Sequence, residues 1–158
     1  MVPDDARSDG SRHPVSTARG PLVVALVAWA GLVAAITLRP ASTLDGQVAL
    51  ARRVPDWLQA HGVPLTYGLV EALANVAMFV PLGALLVLLT THPSGLARTV
   101  LRASVVGLAI STGIEVAQAL WLPSRVPTVR DVVMNILGAA TGALCALVVL
   151  ARRARLPL

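Results

Sequence analysis

Between Ser111 and Gly142 the chain reads STGIEVAQALWLPSRVPTVRDVVMNILGAATG, and this one stretch carries Glu115, Gln118, Arg125, Arg130, Asp131 and Asn135. Two of these, Glu115 and Asp131, are carboxylates that can take or give a proton, so they are the candidate catalytic residues, Glu115 as general acid or base and Asp131 as its orienter. The amides of Gln118 and Asn135, with that of Asn75 upstream, can both donate and accept hydrogen bonds. Arg125 offers a planar fork suited to a carboxylate or a phosphate. Asn75, Glu115, Gln118, Arg125, Asp131 and Asn135 are therefore the candidate ligand-binding set. No nucleophile stands at a matching position: Ser111 is about one helical turn from Glu115, and Cys145 is farther along the chain. His13, His61 and His92 are isolated from any second ligand at metal spacing, so neither a metal nor a cofactor is expected.

The elements that must position these groups are membrane spans. Of 158 residues, 56% are hydrophobic and 13% charged, too apolar for an ordinary soluble domain. The apolar residues come in runs of about 18 or more, enough to cross a hydrocarbon core of about 30 Å. The fold class expected is an all-α integral membrane protein with four transmembrane helices. The spans are residues 21–38, 69–90, 102–122 and 131–150 of a domain covering 21–150. Residues 1–20, polar and without apolar periodicity, are expected to be a disordered tail, and 151–158 a basic one. The first apolar run exceeds the core of a usual signal peptide, so it is read as a retained span. The first loop is broken by Pro40, Gly46, Pro55, Gly62 and Pro64 and carries Trp57 and Tyr67, which suits a segment lying on the membrane surface.

Every basic residue is Arg, and the net charge is +5. This charge flanks apolar runs, so membrane lipid rather than nucleic acid is the expected partner. The tails and the middle loop hold eight Arg and the first and third loops five, which puts both termini in the cytoplasm. With that orientation, Asn75 lies about 9 Å from the outer surface, Glu115 about 10 Å, and Gln118 and Asn135 about 6 Å, at 1.5 Å per residue. Helical spacing groups Glu71 with Asn75, Ser111 with Glu115 and Gln118, and Asp131 with Asn135. Gly138 and Gly142 continue the last face and permit close helix approach or contact between copies. Pro81 is expected to kink the second span and splay it from its partners. These features together predict a closed inner half and a polar cavity opening outward, with Arg125 or Arg130 as the partner of Glu115.

At these residues the chain resembles the VanZ-like family of small bacterial membrane proteins, named for a teicoplanin-resistance protein. One block of the resemblance is Asn75, Phe79, Pro81 and Gly83; the other is Ser111, Glu115, Gln118, Arg125, Asp131, Asn135, Gly138 and Gly142. The first loop departs from the pattern: it has Asp45-Gly46-Gln47 where many members carry an Asp-Lys-x-x-His element, and the chain has no Lys. The resemblance implies a multi-pass protein of the bacterial cytoplasmic (inner) membrane, associated with the cell envelope and with reduced sensitivity to a glycopeptide antibiotic. It implies no agreed catalytic mechanism. Three functions follow as expectations: recognition of a lipid-linked cell-wall precursor, a glycopeptide or another envelope amphipath in the outward cavity; an enzyme acting on an envelope lipid through Glu115; or a scaffold, with a homo-oligomer built through Gly138 and Gly142.

Overall fold

The computed structural model of the chain describes residues 19–38, 53, 55–62, 64, 66–90, 95–122 and 128–155. Four helices are long and apolar enough to cross a membrane: α1 (Arg19–Thr37), α2 (Tyr67–Leu89), α3 (Leu96–Trp121) and α4 (Val129–Arg155). Residues 55–60 add a short helix before α2. Of the expected tail at 1–20, Arg19 and Gly20 belong to α1, while residues 1–18, the middle of the first loop and Arg125 lie outside the described residues. Two helices overrun the expected spans: α3 starts at Leu96 and α4 continues to Arg155. Hydropathy marks where lipid ends, whereas a helix of 27 residues reaches about 40 Å and runs on past that boundary.

Along α3, large apolar side chains face outward and small or polar ones inward. On α3, Leu101, Val105, Leu108, Val116 and Leu120 are exposed, while Thr99, Ala103, Gly107, Ser111 and Gln118 are buried. Lipid chains are as apolar as leucine, so helices in a bilayer gain little by hiding leucine and associate instead through close packing of small residues. The α2–α4 pair shows this most clearly. A Cβ on Gly138 would fall on the Val76 carbonyl, one on Gly142 on the Val80 carbonyl, and one on Gly83 on the Ala139 carbonyl. The register advances in the same sense on both helices, so α2 and α4 run parallel with their backbones in contact. Gly138 and Gly142, expected to permit close helix approach or contact between copies, thus serve close approach to α2 of the same chain.

Pro81 does not splay the bundle. The helix α2 is continuous through it, and the glycine contacts with α4 fall on both sides of it. Pro81 itself is exposed on a different face, toward α1. There the Trp29 indole N–H donates to the Met78 carbonyl at 2.8 Å, and its ring meets Phe79 edge-on at 5.7 Å. Apart from this anchor α1 is loosely held: Trp29 and Val33 are its buried residues.

Candidate functional site

The end of α1, the start of α2, the end of α3 and the start of α4 share one end of the bundle, the end that carries the first and third loops. A polar cavity of about 240 Å³ opens there. Five of the six expected ligand-binding residues line it: Asn75, Glu115, Gln118, Asp131 and Asn135. The sixth, Arg125, lies outside the described residues.

Hydrogen bonds tie all four helices together around this space. Thr128 stands at the N-terminus of α4, where its hydroxyl accepts from the Asp131 N–H at 3.2 Å; this is the capping arrangement that satisfies one of the free donors of a helix start. The Thr128 N–H in turn donates to Glu115 Oε2 at 3.1 Å. Asp131 Oδ1 accepts from Asn75 Nδ2 at 2.8 Å. The series Glu115, Thr128, Asp131, Asn75 therefore links α3, α4 and α2. Gln118 Nε2 donates to the Thr37 carbonyl at 2.9 Å, using one of the acceptors left over where α1 ends. Asn135 Nδ2 donates to Ser111 Oγ at 2.8 Å between α4 and α3, with both residues buried. Asp131 in the first turn of α4 also gains from the partial positive charge of the helix start, by about 0.3–1 kcal/mol.

Of the two expected partners of Glu115, Arg125 lies outside the described residues and Arg130 pairs elsewhere. Arg130 binds Glu71 at 2.8 Å, with about half of each side chain exposed, instead of reaching Glu115. The reason is geometric: Arg130 is one residue before Asp131 on α4, so it faces around the helix toward α2, the closest-packed neighbour. Glu71, grouped with Asn75 by its spacing but not placed in the ligand-binding set, lines the cavity as well, as do Thr37 and Thr128, which sequence reasoning passes over. Thr128-Val129-Arg130-Asp131 is a legible capping signature. Thr37 carries no signal, because it contributes a backbone carbonyl that any residue would supply.

Two apolar grooves adjoin the polar cavity, one on each side of α1. The groove between α1 and α3 has a volume of about 320 Å³ and includes Trp29, Val33, Ile110 and Ile114. The groove between α1 and α2 has a volume of about 450 Å³ and includes Leu32, Ala77, Met78 and Pro81. Ile114 and Met78 also line the polar cavity, so each groove borders it across one shared side chain. The arrangement offers a polar recess for a headgroup and two apolar channels for chains. Among the described residues no three His, Cys, Asp or Glu side chains cluster as a metal site. Cys145 is exposed on α4.

Searches of curated proteins and of solved structures gave no match. A family model described as VanZ/LLP1 matches residues 22–150, which span all four helices and every cavity residue named above. This multi-pass membrane protein therefore belongs to the VanZ/LLP1 family.

Proposed function

We propose that this protein binds the polar end of a membrane amphipath in the loop-end cavity, on the outer side of a bacterial cytoplasmic membrane. The observation that carries this reading is a polar recess bordered by apolar grooves on both sides of α1. Orientation is supported by Arg19, Arg98, Arg102, Arg152, Arg153 and Arg155, which all lie at the opposite end of the bundle; an excess of Arg favours the cytoplasmic face. A cavity of 240 Å³ corresponds to about eight water-sized groups at ~30 Å³ each. That volume suits the headgroup of a lipid or lipid-linked precursor and is too small for a whole glycopeptide. An effect on glycopeptide sensitivity would then follow from the protein's hold on an envelope lipid, not from direct capture of the drug.

Binding is favoured over catalysis by the state of the hydroxyls. The Thr37 hydroxyl donates to the Val33 carbonyl at 2.7 Å, and that of Thr128 caps α4. Both serve helix ends, and Ser111 is held by Asn135, so none of the three gives its O–H to Glu115 or Asp131 as an activated nucleophile would. The test is lipid analysis of the detergent-purified protein. Wild type should retain an amphipath, and Asn75→Leu combined with Asp131→Ala should lose it while eluting as a folded monodisperse species. Equal retention by both proteins would overturn the reading. In a deletion strain, complementation with the same variant should fail to restore wild-type glycopeptide susceptibility.

A further inference from the structure

We infer that the floor of this cavity selects a headgroup by its hydrogen-bond donors, an ammonium or a hydroxyl, and does not select a phosphate or carboxylate. The inference rests on the binding function proposed above and deepens it. Each amide that lines the cavity spends an N–H on the protein: Asn75 on Asp131, Gln118 on the Thr37 carbonyl and Asn135 on Ser111. What the lining presents in return is oxygen. The Asp131 carboxylate can accept about four hydrogen bonds, of which Asn75 supplies one.

The second observation is independent of charge. Asn135 is only 6% exposed, and its Oδ1 is buried with no hydrogen-bond partner among the described residues. An unpaired buried acceptor is costly, and native structures hold few of them. Placed on a residue that lines a cavity, it points to a group that brings a proton to it. In the orientation observed, the amide gives its N–H to Ser111 Oγ and leaves Oδ1 for a donor. The basic side chain next to Asp131 does not reverse the preference: Arg130 pairs with Glu71 and does not line the cavity. An anionic group would meet the Asp131 carboxylate as a like charge, whereas an ammonium or hydroxyl would meet two acceptors from one helix, four residues apart.

The experiment uses the full chain in nanodiscs containing equimolar phosphatidylethanolamine, phosphatidylcholine, phosphatidic acid and monoglucosyl-diacylglycerol with identical acyl chains. Native mass spectrometry then reads the lipid that stays bound. Phosphatidylethanolamine and phosphatidylcholine differ at the headgroup nitrogen only in whether it carries N–H donors. The donor-bearing lipids should exceed phosphatidylcholine by about tenfold, the ratio that satisfying a buried acceptor supports. Enrichment of phosphatidylethanolamine alone assigns an ammonium ligand; enrichment of the glucolipid alone assigns a hydroxyl. Asn135→Leu should erase the enrichment, and Asn135→Asp should shift it toward phosphatidylethanolamine. The wild-type comparison stands even if neither variant folds. Bound lipid with no headgroup preference, as expected if water occupies Oδ1, overturns this inference and leaves amphipath binding intact. Preference for phosphatidic acid overturns it likewise. If no lipid is retained, the proposed function itself fails.

Discussion

The helices α2 and α4 meet in two ways along one interface. At Val76, Val80 and Gly83 of α2, backbone lies against Gly138, Ala139 and Gly142 of α4 with no room for a Cβ. Nearer the loops, the same helices meet through side chains, Asn75 to Asp131 and Glu71 to Arg130, beside a 240 Å³ cavity. The change from glycine and alanine to asparagine and carboxylates decides which region closes and which stays open. In the closed region stability comes from dispersion between atoms in contact, which is lost or reversed by a single added methyl group. At the open end the contacts are hydrogen bonds spread over four helices, and each is individually modest. The closed region therefore sets whether the protein folds, and the open end is where the proposed ligand would sit.

That contrast makes ordered predictions. The largest effect should come from Gly142→Leu, which forces a side chain into the Val80 carbonyl. A backbone atom cannot step aside as a side chain can, so the loss should reach about 3 kcal/mol or more, the upper range for overpacking. It would be seen as little folded protein in detergent; normal yield and melting would break the comparison. Next is Thr128→Ala, which removes the cap of α4 at a cost of about 1 kcal/mol, read as a lower thermal midpoint. Gln118→Leu should follow at about 0.6 kcal/mol, the mean for interhelical hydrogen bonds in membranes. Because Gln118 holds the end of α1, hydrogen exchange near Thr37 should rise while the α2–α4 seam stays protected. The smallest effect should be Glu71→Gln, which breaks a half-exposed ion pair worth about 0.5 kcal/mol or less and weakening in salt.

Much of this organisation was legible from residue types. Long apolar runs gave the four spans, because a bilayer demands a length that composition reveals. The spacings of Glu71 with Asn75, Ser111 with Glu115 and Gln118, and Asp131 with Asn135 pointed to a shared layer, and those side chains meet around one cavity or on its wall. Less legible was which helix takes which. The glycines of α4 announce close approach, but nothing in their spacing names α2 as the partner over another copy. The choice of Glu71 by Arg130 depends on rotation of α4 against α2, which the loop sequence does not encode. The effect of Pro81 was misjudged because its position relative to the packed face, and not its presence, determines whether a kink separates helices. The Thr37 carbonyl was invisible for a simpler reason: backbone atoms have no letter.

The most direct test of the central claim, that the open end exists to hold a ligand, is a paired measurement on Asn135→Leu: thermal stability in detergent and the amount of lipid retained from the donor-bearing set. Removing the Ser111 bond costs stability, while removing an unsatisfied buried oxygen returns it. The expected result is a change in stability within about 1 kcal/mol together with loss of donor-lipid retention. A variant that is markedly destabilised yet retains the donor lipid as well as wild type does would contradict the claim and make Asn135 a structural residue.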